Sequence, residues 1–120
     1  MAKKILIVDD EPDVLKILSL RLEKTGYEVI GARDGRDALD LARKMIPDLI
    51  ILDVYLPDMN GDDVARIMKN DDKLKNIPII LISATATTVA QRTKECGADG
   101  SIAKPFEPEE LIDMIKKILG

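Results

Sequence analysis

The chain has no histidine and no tryptophan, a single cysteine, two tyrosines and one phenylalanine. Each shortage removes a class of chemistry. Without histidine there is no Ser-His or Cys-His nucleophile pair, no imidazole base and no histidine metal site. A lone Cys96 excludes an internal disulfide and a cysteine-based metal centre. So few aromatics leave little to cover a flavin, and neither a GxxxxGK[ST] nor a GxGxxG stretch is present to cradle a nucleotide. No apolar run approaches membrane-spanning length, and the run over 5–8 behind Lys3 and Lys4 is too short for a secretory signal. Basic residues number 18 against 22 acidic ones, a net charge of -4 with no basic cluster, which suits nucleic acid poorly. The expectation is a cytoplasmic protein that touches neither membrane nor, by this domain alone, nucleic acid. Carboxylates, hydroxyls and lysines are left to do the chemistry.

What is present centres on the stretch 48–61. Leu49, Ile50, Ile51 and Leu52 form an unbroken apolar run, the mark of a parallel strand buried on both faces. It stops at Asp53 and enters a turn-rich loop with Pro57, Asn60 and Gly61. Asp53 is either the chemical centre or an ordinary capping or turn aspartate; this stretch alone does not separate the two.

Similar punctuation recurs along the chain. Strands are expected over 4–8, 27–31, 49–52, 77–82 and 100–103, and helices over 12–24, 37–45, 64–69, 89–96 and 108–119. Pro12 suits a first helical turn and Gly26 a helix end. Residues 1–120 fit one domain of regular strand–helix alternation. That alternation predicts an α/β fold: a five-stranded parallel sheet with right-handed crossovers and helices on both faces. A flavodoxin-like doubly wound order, 2-1-3-4-5, fits five strands best. Strands 1 and 3 are then neighbours about 4.8 Å apart, so Asp9, Asp10 and Asp53 meet at one end of the sheet.

Three carboxylates at that spacing do not ionise together comfortably without a cation. An oxygen-only set suits Mg²⁺, or Mn²⁺, which keeps several waters and bridges to phosphate. A carboxylate beside such an ion can attack phosphorus and become an acyl phosphate. Ser83, at the end of strand 4, offers a hydroxyl to a phosphoryl oxygen, and the small Ala84 leaves the approach open. Lys104, at the end of strand 5, offers an ammonium, and Pro105 makes the bond between them a candidate for the cis form. Singly, each of these residues is commonplace. Their convergence on one sheet edge is the signal.

With those residues in place, the chain resembles a response-regulator receiver domain, the CheY-like phosphoacceptor module of two-component signalling. The resemblance spans Lys3 to Leu119 and rests on Val8-Asp9-Asp10, Leu52-Asp53, Leu56-Pro57, Asn60-Gly61, Ser83-Ala84, Gly97-Ala98 and Lys104-Pro105-Phe106. It implies that Asp53 accepts a phosphoryl group from a histidine of a sensor kinase or phosphotransfer protein, becoming a 4-aspartylphosphate. It implies Mg²⁺ ligation by Asp10, Asp53 and the backbone carbonyl of Tyr55, with Asp9 acting through a bound water. Lys104 would pair the phosphoryl group, and Ser83 would swing toward it as the switch. Such a domain promotes its own phosphorylation and dephosphorylation, as a switch rather than a turnover enzyme, and controls a downstream partner. Partner docking by the first helix would use Asp13, Ile17 and Leu20, although an exposed leucine is common without any role. The family also implies a homodimer through the last two helices and strand 5.

Two positions depart from or vary within the pattern. Ser101 stands where the family often has an aromatic that rotates inward, so output through Ser83, Ala84 and Ser101 must work differently here. Tyr55, two residues after the phosphoacceptor, is bulky enough to shield an acyl phosphate from water. The rival readings are weaker. A flavodoxin would need a hydroxyl-rich loop where Asp9-Asp10-Glu11 stands. A haloacid dehalogenase-type phosphatase would need a second aspartate where Tyr55 stands. An inactive receiver serving only as a docking module keeps the fold but leaves the acid, hydroxyl and lysine set without a use.

Overall fold

The unbroken apolar run becomes β3 (Leu49–Asp53), a strand buried along its whole length. In the computed structural model, which describes residues 2–84 and 86–120 (86–90 by backbone alone), β3 lies at the centre of a five-stranded parallel sheet. The other strands are β1 (Lys4–Val8), β2 (Glu28–Ala32), β4 (Ile79–Ser83) and β5 (Gly100–Ala103). The order is β2-β1-β3-β4-β5, the expected one. The helices are α1 (Pro12–Thr25), α2 (Gly35–Met45), α3 (Gly61–Lys69), α4 (Ala86–Cys96) and α5 (Pro108–Leu119).

Period-two side-chain alternation splits the core between two faces. Ile5, Ile7, Leu49, Ile51, Ile80 and Ile82 pack with Leu18 and Leu22 of α1 and Leu111, Ile112 and Ile115 of α5. Leu6, Val8, Ile50, Leu52, Ile79 and Leu81 pack with α2 and α3 and with Cys96 of α4. Helices therefore cover both faces of the sheet. No helix among the described residues is long and apolar enough to cross a membrane.

Register then brings the strand ends to one edge. Val8 pairs with Leu52 and Asp53 with Ile82, so Asp9, one residue past β1, emerges beside the end of β3. The β4–β5 ladder ends with Ser83 opposite Ala103, one residue before Lys104.

Element ends differ from expectation where distant groups or turns intervene. β4 starts at Ile79 rather than 77, because the Ile77 N–H closes a turn onto the Leu74 carbonyl and Pro78 has no N–H. That turn buries Leu74 completely. β2 starts one residue late, because the Tyr27 N–H is spent on the Leu22 carbonyl at the end of α1. α3 and α4 each begin three residues earlier than the apolar pattern suggests.

α2 begins at Gly35 rather than 37, and its first turn is satisfied from two places. Asp34 accepts from the Asp37 N–H at 2.8 Å, an N-cap. Asp58, from the loop after β3, accepts from the N–H groups of Gly35 at 2.7 Å and Arg36 at 2.9 Å. The Gly35 bond first, then the Arg36 bond, hold the Asp58 carboxyl below the usual carboxylate range. A depressed pKa contributes stability above the unfolded value and loses it as pH falls through the folded one. Asp58→Ala should therefore cost about 0.5–1 kcal/mol at neutral pH, the low end for a cap because the carboxylate is exposed. Urea unfolding at neutral and strongly acid pH checks this: the gap from wild type should close in acid.

Candidate functional site

Four strand ends converge on one small volume. Asp53 closes β3, Asp9 and Asp10 follow β1, Ser83 closes β4 and Lys104 follows β5. Carboxylate oxygens of Asp9, Asp10 and Asp53 lie within 4.8 Å of one another. Asp9 and Asp53 are buried, at 1% and 5% exposure, whereas Asp10 opens to solvent. Lys104 Nζ donates to Asp9 Oδ2 and to Asp53 Oδ2, each at 3.0 Å. The remaining oxygens are also engaged: Asp9 Oδ1 accepts from the Glu11 N–H and Asp53 Oδ1 from the Tyr55 N–H, both at 3.0 Å.

Backbone geometry delivers these groups. The Lys104 N–H donates to the Ser83 carbonyl at 2.7 Å, which carries the β4–β5 ladder one residue further and aims the lysine along the sheet edge. The Lys104–Pro105 peptide is cis. On the other side, the Gly61 N–H donates to the Val54 carbonyl at 2.7 Å, and Tyr55 and Asn60 bridge antiparallel. The loop between them is thereby folded back on the end of β3. A Cβ at Gly61 would sit 2.2 Å from the Asp53 carbonyl oxygen, so only glycine allows this approach.

The charge balance is uneven, with three carboxylates against one ammonium. Burial pushes the Asp53 carboxyl up; the Lys104 and Tyr55 hydrogen bonds pull it down, Asp9 pushes it up again, and the net position is above the ordinary value. Burial also works against the Lys104 ammonium, but its bonds to Asp53 and Asp9 outweigh this and raise its pKa. Lys104 is thus a firm cation, while ionised Asp53 still lacks full compensation. An all-oxygen, negatively charged cluster with one solvent-facing member fits a hard divalent cation.

The other expected residues fall in different surroundings. Ser83 is fully buried, one position past the register partner of Asp53, and Ala84 is exposed. Ser101 pairs with Leu81, two register steps back from the edge, and is half-buried. Asp13, Ile17 and Leu20 are all exposed on α1, Ile17 at 56% and Leu20 at 52%. Ile17 lines an apolar groove of about 600 Å³ with Val14, Lys104, Pro105 and Phe106; Leu20 lies outside it. Of the hydroxyl-rich stretch 83–88, Thr85 and the side chains of 86–88 lie outside the described residues.

Sequence reasoning missed two residues beside the site. Arg92 of α4 donates to Asp62 of α3 at 3.0 Å and stands 5.5 Å from the centre of the Tyr55 ring. Separations of 30 residues or more leave no local pattern that announces such contacts.

Comparison with known proteins agrees with this geometry. Residues 5–116 match the model of the response regulator receiver domain family. The polar-differentiation response regulator DivK of Brucella anthropi is 39% identical over 121 residues, covering 100% of this chain and 98% of that protein. The structure of the chemotaxis response regulator CheY4 of Vibrio cholerae superposes with a TM-score of 0.93 at 35% identity, covering 99% of this chain and 100% of that one. The signal receiver domain of a signal transduction histidine kinase from Syntrophus aciditrophicus superposes at 0.91 with 39% identity, over 98% of this chain and 90% of that one.

Proposed function

The chain belongs to the response regulator receiver domain family of two-component signalling, and from that premise we propose that it is a working phosphoacceptor switch with Asp53 as the acceptor. The observation that carries this reading is Lys104 spanning Asp9 and Asp53 at 3.0 Å each: a fixed cation beside a carboxylate whose ionisation is incompletely compensated.

In the proposed reaction, an Asp53 carboxylate oxygen forms a bond to phosphorus as the bond from phosphorus to the donor histidine nitrogen breaks. The imidazole leaves with that electron pair. The Tyr55 N–H orients the carboxylate, and Lys104 moves from pairing two carboxylates to pairing a phosphoryl oxygen. The Ser83 hydroxyl would donate to another phosphoryl oxygen, which requires movement of a side chain buried in the ground state. Mg²⁺, or Mn²⁺, held by Asp10, Asp53 and the Tyr55 carbonyl, with Asp9 acting through water, would neutralise charge on the phosphoryl oxygens. The donor is proposed to be a sensor kinase or histidine phosphotransfer protein in the cytoplasm. It would dock on α1 at Asp13, Ile17 and Leu20, of which Ile17 lines the apolar groove that Lys104 also lines. A dimer through α4, β5 and α5 belongs to the same proposal and is read by the mass in solution after phosphorylation.

Intact mass after incubation with Mg²⁺ and acetyl phosphate tests the chemistry. Wild type should gain one phosphoryl group, and neither Asp53→Ala nor metal-free wild type should gain any. No adduct from either acetyl phosphate or a cognate phosphotransfer protein would leave the alternative, a receiver that serves only for docking.

A further inference from the structure

Tyr55 is held at both ends. Its backbone N–H donates to Asp53 Oδ1 at 3.0 Å, and its ring, though 49% exposed, lies 5.5 Å from the guanidinium carbon of Arg92 on α4. Arg92 is itself fixed: Nη1 donates to Oδ1 of Asp62 at 3.0 Å, with side-chain exposures of 24% and 10%. A second cation, Arg66, stands 3.6 Å from the other Asp62 oxygen. An arginine pinned by a buried carboxylate keeps its planar face free for an aromatic ring, an arrangement that a mobile surface lysine does not reproduce. The contacts form one continuous line from Asp62 through Arg92 and the Tyr55 ring to the Tyr55 amide and the Asp53 carboxylate.

We infer that Arg92 is a positioning residue for the phosphoacceptor: pinned by Asp62, it holds the Tyr55 ring and so orients the Tyr55 amide on Asp53, tying the acid pocket to α4. The inference rests on Asp53 being the acceptor only for its kinetic consequence; the positioning is a property of the resting pocket. Coupling of this kind is reciprocal. Whatever moves Arg92 must alter the pocket's affinity for a divalent cation, and filling the pocket must alter the Arg92–Tyr55 contact.

The test compares wild type, Arg92→Met, Arg92→Lys and Tyr55→Leu by amide NMR, Mg²⁺ titration and acetyl phosphate labelling, with thermal melting alongside. Arg92→Met should displace the Tyr55 amide resonance, weaken Mg²⁺ binding by about fivefold or more and slow labelling by a similar factor. Arg92→Lys, which keeps the cation but not the plane, should recover part of each. In wild type the Arg92 side-chain protons should carry a ring-current shift that Tyr55→Leu removes, even if the methionine variant folds poorly. An unmoved Tyr55 amide with unchanged Mg²⁺ affinity in Arg92→Met, or no ring-current shift in wild type, overturns the inference. If the amide and the Mg²⁺ affinity respond while wild type never labels, the acceptor reading fails and the positioning stands.

Discussion

Gly61→Ala is expected to cost about 2–4 kcal/mol of stability and to spoil the acid pocket with it. The added Cβ would meet the Asp53 carbonyl oxygen at 2.2 Å, the Asp53 carbonyl carbon at 3.0 Å and the Val54 Cα at 3.1 Å. All three are backbone atoms at the end of the central strand, so no flexible side chain can yield. Either the loop lifts away and the Gly61 N–H bond to Val54 breaks, or the end of β3 shifts and takes Asp53 with it. Gly26→Ala is the matching control. Its Cβ would meet nothing within 4 Å, but the residue sits at φ 107, so it should lose only about 1 kcal/mol through backbone strain. Urea unfolding of both variants, with Mg²⁺ affinity as a probe of the pocket, checks the contrast. A Gly61→Ala protein as stable as wild type would mean that the loop does not pack as described.

Lys104→Met is expected to be the other severe change, because it strands two buried carboxylates at once. Removing one partner of a buried ion pair costs more than the pair contributes. With Lys104 itself 22% exposed, the loss should be about 2–3 kcal/mol at neutral pH, below that for a fully enclosed pair. The sign of its pH dependence follows from the raised pKa of both groups. A lysine whose pKa is raised by its partners lends stability that persists at neutral pH and fades only as pH climbs through its own folded value. Asp53, raised chiefly by burial, opposes folding when ionised and ceases to do so once acid protonates it. The deficit of the variant should therefore be largest at neutral to mildly alkaline pH and shrink on acidification. Mg²⁺ should stabilise the variant more than wild type, since the cation takes over part of the work of the lost ammonium. Thermal melting across pH, with and without Mg²⁺, reads both effects. A deficit that stays constant across pH would show that Lys104 acts through packing of its stem instead.

Much of this arrangement was legible in the chain because it follows short-range rules. The apolar run 49–52 marks a doubly covered strand, and the aspartate that ends it lies at the sheet edge where the acids gather. Pro12 and Gly26 bracket α1 as expected, and the left-handed conformation at Gly26 is the cap that glycine allows. Leu18 and Leu22 are buried while Leu20 is exposed, which the helical wheel separates without coordinates. The illegible parts depend on groups far apart in sequence. Asp58 caps α2 from more than twenty residues away, which is why α2 starts earlier than its own residues suggest. Leu74, in a segment without periodicity, fills the core only because a turn and the Lys69 ammonium fold that segment inward.

The sequence by itself determined the alternating elements, the parallel sheet and the presence of acids, a hydroxyl and a lysine at strand ends. Period and punctuation are local properties of a chain; handed, short connections narrow the strand orders, and the resemblance to a known family favoured 2-1-3-4-5 among those left. Only the tertiary structure decided how those groups face one another: that one ammonium spans Asp9 and Asp53, that Gly61 must lack a side chain, and that Arg92, held by Asp62, reaches Tyr55. Distances of about 3 Å between residues tens of positions apart are set by register and by packing density. Neither leaves a trace in the order of residues along the chain.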